Sequence, residues 1–200
     1  MVSDPQPPLA AAILAGGSAR RLGGVDKATL RIGRDRIIDR QLALLRAVAD
    51  PVFIVSGHAD RFSDLPVPVV ADVTPGAGAL GGIYSAIVSS PHPRTLVVAC
   101  DMPFLTLALL RELGRPADAD LVIPRSPRGY EPLCATWAAG CAEPIRRRIQ
   151  RGLLKAALMV DDLRVKEIGP EVLASCDPHG LLFLNINTPH DYEHAQGLTR

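Results

Sequence analysis

The sequence predicts an α/β fold in which a mostly parallel central sheet is covered by helices on both faces. Three observations support this prediction. Short runs that are apolar at every position recur along the chain, as in strands buried on both sides. These runs alternate with segments whose apolar residues have helical spacing. Most runs also end in glycine, serine or aspartate, at the strand ends where such sheets collect ligands.

The first half of the chain follows this alternation in order. The spacing of apolar residues from 37 to 48 is that of a helix, and Asp50-Pro51 ends it because proline disfavours a helical residue before it. The predicted elements are a strand at 9–14, a short apolar segment at 28–32 with a turn at 33–35, the helix at 37–48, strands at 52–55 and 67–71, a helix at 83–89 and a central strand at 95–99.

The second half continues the pattern with one interruption. A loop rich in proline and arginine is expected at 124–133, between apolar segments. The last helix is predicted to begin at Thr188-Pro189, which are residues typical of a cap and a first turn. The predicted elements are a helix at 107–114, a strand at 121–123, the loop, an apolar segment at 134–137, helices at 143–152 and 153–160, a strand at 164–168 and the closing helix.

Composition limits the classes of protein. The chain has 200 residues, 48% of them hydrophobic, and a formal net charge of +1. These values predict a proline-rich flexible leader at 1–8 followed by a single domain at 9–197, and they exclude a disordered chain or a nucleic-acid binder. The first apolar run is too short for a membrane span. The four cysteines lack metal-ligand spacing, so we expect buried, reduced thiols and a cytoplasmic location.

A glycine-rich stretch follows the first predicted strand and organises the functional prediction. It runs from Leu14 through Gly16-Gly17, Arg20-Arg21 and Gly23-Gly24 to Lys27. A tight turn after a buried strand leaves backbone N–H groups for an anion, and the cations add charge. The stretch differs from a Walker A motif, in which Gly-Lys precedes Ser or Thr. A triphosphate is the expected ligand.

The spacing resembles Leu-Ala-Gly-Gly-x-x-x-Arg-x-Gly-x-x-x-Lys, the signature of nucleotidyltransferases. The doubled Arg20-Arg21 and Gly23-Gly24-x-Asp26-Lys27 resemble the molybdenum cofactor guanylyltransferase family. The resemblance implies a three-layer αβα, Rossmann-like fold with a nucleotide-binding half at about 9–105 and an acceptor-binding half at about 106–197. It also implies Mg²⁺-dependent transfer of GMP from GTP to the phosphate of molybdopterin, with release of pyrophosphate.

Asp101 stands at the tip of the clearest central strand. A carboxylate there is either a magnesium ligand or a helix N-cap, and the resemblance favours the metal ligand. The catalytic residues implied are Lys27, Asp101 and Arg21. The nucleotide-binding residues implied are Leu14, Ala15, Gly16, Gly17, Lys27, Ser56, Asp72, Gly81 and Asp101, although Asp72 also suits a structural turn.

The acceptor half contains two informative stretches. Arginines beside Tyr130 suit a ligand with a phosphate and a flat ring, and Gly129-Tyr130-Glu131-Pro132-Leu133 resembles the family's acceptor-facing segment. Near the end, Asn185-x-Asn187 resembles the family's C-terminal motif. The predicted acceptor residues are Arg128, Tyr130, Glu131, Pro132, Asn185 and Asn187. The basic run Arg146-Arg147-Arg148 is assigned no catalytic role and would attract an anionic acceptor, a molybdoenzyme or its chaperone.

Three alternatives stay open. Gly76-x-Gly78-x-x-Gly81 satisfies a dinucleotide-binding fingerprint, with Asp101 twenty residues after Gly81, although residues 73–75 separate it from the preceding strand. A dinucleotide-dependent oxidoreductase would use that segment. A cytidylyltransferase or a sugar-1-phosphate nucleotidyltransferase would share the first glycine stretch. A non-catalytic module would bind nucleotide without releasing pyrophosphate.

Overall fold

The computed structural model describes residues 8–16 and 29–199. Its strands are β1 Leu9–Leu14, β2 Arg31–Ile32, β3 Asp35–Arg36, β4 Val52–Ser56, β5 Val69–Ala71, β6 Arg94–Ala99, β7 Leu121–Ser126, β8 Gly129–Tyr130, β9 Cys134–Ala138 and β10 Val165–Ile168. Its α-helices are α1 Ile37–Arg46, α2 Gly78–Ser89, α3 Leu107–Gly114, α4 Ala142–Gln150, α5 Pro170–Cys176 and α6 Pro189–Gly197. Short 3-10 helices span Ala59–Phe62, Ala139–Cys141 and Ala156–Asp161.

The main sheet confirms the predicted α/β class. Its strand order is β10-β7-β9-β6-β1-β4-β5, with β8 paired to β7. The pairs of β1 with β4 and β6, of β4 with β5 and of β10 with β7 are parallel. Strand β9 runs antiparallel to both β6 and β7. The order reverses at β1, because β4 and β5 lie on one side of it and β6 on the other, and such a reversal opens a crevice at the carboxyl ends of the strands.

Helices cover both faces, which gives the predicted three layers. Alternate residues of β1 enter separate cores: Leu9, Ala11 and Ile13 face one, while Ala10 and Ala12 face the other. The first core is completed by residues of α1, α3 and α5, and the second by residues of α2, α4 and the 156–161 helix. Since β1 is apolar on both sides, it is held at the centre of the sheet.

The last helix closes the fold at one end. Buried Ile32, Ile37, Ile186 and Ala195 form a third apolar cluster beneath the β2–β3 hairpin and α6. Tyr192 and Gln196 of α6 each donate a hydrogen bond to the carbonyl of Arg31, at 2.9 and 3.0 Å. Helix α6 therefore holds strand β2 in place, a few residues after the first glycine stretch.

Several predicted elements differ from those in the structure in their bounds or their type. Helix α1 ends at Arg46 rather than at 48, and the strand expected at 67–71 is shorter. Helix α2 begins at Gly78, five residues before the predicted start, because Gly76 and Gly78 both adopt positive φ and the glycine turn runs directly into the helix. Residues 156–161 form a 3-10 helix where an α-helix was expected at 153–160. The 124–133 loop contains a β-hairpin, in which Arg125 pairs with Tyr130.

No helix in the parts of the chain that the structure describes is both long and apolar enough to cross a membrane.

Candidate functional site

The carboxyl ends of the parallel strands bring the predicted nucleotide-binding residues to one edge of the sheet. Gly16 follows β1, Ser56 ends β4, Asp72 follows β5 and Asp101 follows β6. Since β1 and β6 are neighbours at the reversal of strand order, this edge is where the fold class binds ligands. Gly17, Arg20, Arg21 and Lys27 lie outside the described residues, so their predicted roles stay predictions.

Backbone bonds fix the start of the glycine stretch. The N–H of Ala15 donates to the carbonyl of Val55 at 2.9 Å, which extends the pairing of β1 with β4 beyond the strand. Buried Ser56 lies 3.4 Å from the carbonyl of Ala15, and its hydroxyl accepts from the N–H of His58 at 3.1 Å. Ser56 therefore supports the turn at the strand end. A direct contact of Ser56 with nucleotide stays a prediction.

Asp72 anchors the second glycine segment. Its Oδ1 accepts from the N–H of Thr74 at 3.0 Å and from the hydroxyl of Ser85 on α2 at 2.8 Å. The structural turn anticipated for this residue is thus present, and Asp72 also holds α2 against the sheet edge. Gly81 is buried where a Cβ would come within 2.9 Å of the carbonyl of Thr74. It has a packing role, and its contact with nucleotide is untested.

Asp101 lies in a turn between β6 and α3, and it is not the cap of that helix. The N-cap of α3 is Thr106, whose hydroxyl accepts from the N–H of Leu109 at 3.3 Å. The N-cap alternative for Asp101 is therefore excluded. The carbonyl of Asp101 accepts from the N–H of Ile186 at 3.0 Å, so the Asn-x-Asn segment lies against the tip of β6. Two motifs separated by more than eighty residues meet at this point.

The segments that meet at Asp101 carry oxygen atoms of the kind that bind a hard cation. Asn185 Oδ1 is buried and has no hydrogen-bond partner among the described residues. Across residues 8–16 and 29–199 no cluster of three or more His, Cys, Asp or Glu side chains forms a closed metal cage. Mg²⁺ commonly binds through one or two carboxylates and the phosphates of a substrate. The donor set of a carboxylate and an amide oxygen therefore fits an ion delivered with a nucleotide.

The 129–133 segment begins in the β7–β8 hairpin, and the polar side chains of this hairpin make contacts with one another and with β10. The guanidinium of Arg125 lies 5.3 Å from the centre of the Tyr130 ring. Glu167 on β10 accepts from the hydroxyl of Tyr130 at 3.1 Å and lies 3.4 Å from Arg125. One face of the Tyr130 ring is thus occupied by Arg125. The carbonyl of Pro132 accepts from the indole N–H of Trp137 at 3.3 Å, which indicates a structural role for that residue.

A groove of about 760 Å³ opens beside this hairpin. Arg128 lines it, donates to the carbonyl of Phe183 and lies 3.8 Å from the carboxylate of Glu131. Glu131 accepts from the hydroxyl of Ser126 at 2.7 Å. Most of the remaining wall is apolar and comes from Pro127, Pro170, Leu173, Ala174, Phe183 and Leu184. Leu184 connects this groove to Asn185.

The basic run on α4 is neutralised in part by nearby carboxylates. Arg146 and Arg147 each pair with Glu143, at 2.7 and 2.8 Å, and Arg148 pairs with Asp162. The Arg146 guanidinium, followed by that of Arg147, lowers the pKa of Glu143 to about 2. The proposed attraction of an anionic acceptor or partner by this run is untested.

All four cysteines are buried and unpaired, as the sequence predicts for small apolar side chains. Burial raises the pKa of Cys141 to about 12, so this thiol stays protonated at neutral pH.

The topology argues against the dinucleotide fingerprint. The 76–81 segment follows β5 at the margin of the main sheet, and β4 and β1 lie between β5 and β6. Asp101 is therefore three strand spacings from the end of β5, or about 14 Å. The fingerprint requires glycines at the first, central βα turn and an acidic residue on the adjacent strand.

Sequence reasoning missed several residues around this edge. Glu167 contacts Tyr130, and Gln41 of α1 contacts the turn that carries Asp101. Gln41 gave no signal because a glutamine is common within an amphipathic helix. The link between Glu167 and Tyr130 depends on a strand pairing that is distant in sequence.

Comparisons with known proteins agree with this architecture. Residues 11–164 match the family model described as "MobA-like NTP transferase domain". A probable molybdenum cofactor guanylyltransferase of Chloroflexus aggregans is 37% identical over 191 residues, which cover 92% of this chain and 91% of the relative. The molybdenum cofactor guanylyltransferase of Desulfosudis oleivorans is 33% identical over 186 residues, or 92% of each chain.

A solved structure is also similar. The crystal structure of molybdopterin-guanine dinucleotide biosynthesis protein A from Archaeoglobus fulgidus superposes with a TM-score of 0.80 and 28% identity. The superposition covers 94% of this chain and 97% of that one.

Proposed function

The chain belongs to the family of MobA-like NTP transferase domains, and from that membership and its site we propose that it transfers GMP from GTP to the phosphate of molybdopterin. Pyrophosphate is the second product. The observation that carries the proposal is the meeting of three motifs at the β1–β6 edge. The end of β1 leads into the glycine stretch, Asp101 follows β6, and the N–H of Ile186, between the two asparagines, bonds to the carbonyl of Asp101.

The chemistry needs position and charge rather than a protein nucleophile. An oxygen of the acceptor phosphate attacks the α-phosphorus of GTP, and the bond from that phosphorus to the bridging oxygen of pyrophosphate breaks. Because the attacking phosphate is already anionic, no general base is required. The amides of the glycine stretch, with Lys27 and Arg20 or Arg21, would hold the triphosphate in line with the acceptor.

Asp101 and the amide oxygen of Asn185 would hold Mg²⁺ together with the phosphates, and Asn187 would contact the metal shell or the acceptor. The bound ion would offset the negative charge on the α-phosphate and on pyrophosphate. The Asp101 turn and the Asn-x-Asn segment would keep these oxygens in place, through the bond between the carbonyl of Asp101 and the N–H of Ile186.

The acceptor would occupy the groove beside the hairpin. Its apolar wall suits a flat ring system, and Arg128 supplies a cation for a phosphate. Glu131 would position Arg128, because it lies 3.8 Å from the guanidinium. Tyr130 and Pro132 would act by shaping the hairpin. In this proposal residues 9–105 hold the nucleotide and residues 106–197 hold the acceptor within one domain, and the cytoplasmic location stays a prediction.

The test is a pyrophosphate-release assay with molybdopterin, Mg²⁺ and GTP, CTP or ATP in turn. We expect release with GTP, reduced about 100-fold or more in Asp101→Asn because that change removes a charge from the site. Asp118→Asn, which alters an exposed carboxylate paired with Arg164, is the matched control. Equal turnover with CTP would overturn the choice of base. Binding of NADH without pyrophosphate release would overturn the transferase proposal.

A further inference from the structure

Gln41 is a buried polar residue on the core-facing side of α1. Its side chain is 1% exposed and its neighbours in the helix include the buried residues Ile38, Leu42 and Leu45. Its Nε2 donates to the carbonyl of Ala99 at 2.8 Å and to the carbonyl of Met102 at 3.0 Å. These two carbonyls bracket Asp101, so a single amide group spans the 99–102 turn.

The orientation of this amide is determined by its partners. Both contacted atoms are carbonyl oxygens, which only accept, so the NH₂ group must face the turn. Oε1 then points elsewhere, and it is buried with no hydrogen-bond partner among the described residues. A buried acceptor without a partner is unfavourable for folding. An apolar side chain would be the ordinary choice at such a core position. A buried polar residue with an unpaired acceptor is therefore expected mainly at functional sites.

The same turn is linked to each part of the proposed site. The N–H of Cys100 donates to the carbonyl of Leu14 at 3.1 Å, at the start of the glycine stretch. The N–H of Ala99 donates to the carbonyl of Leu133 at 2.9 Å, at the end of the 129–133 segment. The bond from Ile186 to Asp101 joins the asparagine segment. The 99–102 turn is therefore the point at which the backbones of these three segments meet.

We infer that Gln41 is a positioning residue of the transfer reaction. By holding the carbonyls of Ala99 and Met102, it keeps the carboxylate of Asp101 where a metal-bound triphosphate needs it. This inference rests on the proposed function. Gln41 touches neither substrate nor metal in this scheme and acts through the backbone of the turn, as groups that orient metal ligands do.

The variant that tests it is Gln41→Met, which keeps the length of the side chain and removes both donors. The main measurement is calorimetric binding of GTP in Mg²⁺ and, separately, in EDTA. We expect the gain in GTP affinity that Mg²⁺ provides to fall by about 10-fold or more, while binding in EDTA changes by less than about twofold. In the transfer assay kcat should fall by a similar factor, with the acceptor KM unchanged.

Leu45→Ala is the matched control, because it opens a cavity in the same helix and removes no hydrogen bond to the turn. It should lower Tm and leave the Mg²⁺-dependent gain in GTP affinity unchanged. The inference is overturned if Gln41→Met retains that gain, or if Leu45→Ala loses as much of it. If the Gln41→Met protein does not fold, Gln41→Leu is used in its place. If neither variant folds, the inference is overturned, because Gln41 then contributes to stability alone. A wild-type protein that transfers no GMP contradicts the proposed function instead.

Discussion

Arg128 lies on the wall of the groove with 63% of its side chain exposed, so it can reach a bound anion while keeping its contact to Phe183. We predict that Arg128→Ala raises the KM for molybdopterin about tenfold, because one charge-assisted hydrogen bond of roughly 1.5 kcal/mol is lost. The affinity for GTP should change by less than about twofold. Steady-state kinetics with varied acceptor, together with GTP calorimetry, provide the measurement.

Arg115→Ala is the control for charge alone. Arg115 caps the end of α3 at the opposite edge of the sheet, where it pairs with Glu112 at 2.9 Å. Removal of this arginine should leave the acceptor KM unchanged. An equal rise in KM for both variants would show that overall charge, and not the position of Arg128, determines acceptor binding.

In the first turn of helix α2, position 81 leaves room only for glycine. A Cβ at Gly81 would lie 2.9 Å from the carbonyl oxygen of Thr74 and 2.8 Å from the Cβ of Ala77. We predict that Gly81→Ala lowers the free energy of unfolding by about 1–3 kcal/mol, as overpacking typically does. Urea denaturation measures this change.

The neighbouring Gly82 supplies the matched control. A Cβ there would meet the terminal methyl of Leu14 at 3.0 Å, and a side-chain end can move where a backbone carbonyl cannot. Gly82→Ala should therefore be milder than Gly81→Ala, since alanine also favours the helix. The packing interpretation fails if the two variants destabilise the protein equally.

Helix α6 begins with a capping box that lies next to the Asn-x-Asn motif. Asp191 accepts from the N–H of Asn187 at 2.9 Å and from the N–H of Thr188 at 2.8 Å, and these donors hold the pKa of Asp191 below its ordinary value. A carboxylate whose pKa is lowered by folding stabilises the protein above its unfolded pKa, near 4. That stabilisation disappears as the pH falls through the folded value.

We therefore predict that Asp191→Ala lowers Tm most at pH 7 and progressively less below about pH 4. Thermal unfolding followed by circular dichroism across this pH range measures the difference from wild type. Glu193→Ala, an exposed position on the same helix, is the control and should show no such trend. A loss of Tm for Asp191→Ala that is the same at pH 3 and pH 7 would contradict the electrostatic account.

The sequence predicts the elements of this fold better than their partners. The strand at 9–14 and the helix at 107–114 have the predicted bounds, because an apolar run or helical spacing is a local property. The antiparallel direction of β9 could not be predicted, since a strand buried on both faces has the same composition in either direction. Arginine and proline dominate the composition of the 124–130 hairpin, so its sequence predicts a loop.

In the candidate site, too, residues in local motifs could be predicted, and residues that act through distant contacts could not. Asp101 and Asn185 could be identified from motifs, and the edge where they meet follows from the rule for parallel sheets. Gln41 and Glu167 could not, because each acts through a contact between segments that are distant in the chain. Local composition also does not show that Arg125 covers one face of the Tyr130 ring, and the contact of Tyr130 with the acceptor stays a prediction.

At the scale of the whole molecule, β9 joins the proposed nucleotide and acceptor halves, because it pairs with both β6 and β7 and carries the buried Trp137. If residues 9–197 form one domain, urea unfolding followed by tryptophan fluorescence and by far-UV circular dichroism should give coincident transitions. GTP with Mg²⁺ at about 100 times its Kd should raise the free energy of unfolding by roughly 2.7 kcal/mol in both signals. ATP at the same concentration is the control and should shift neither signal. A single domain would be contradicted by separate transitions in which only the circular dichroism signal responds to GTP. The half that binds nucleotide would then unfold independently of the strand that holds Trp137.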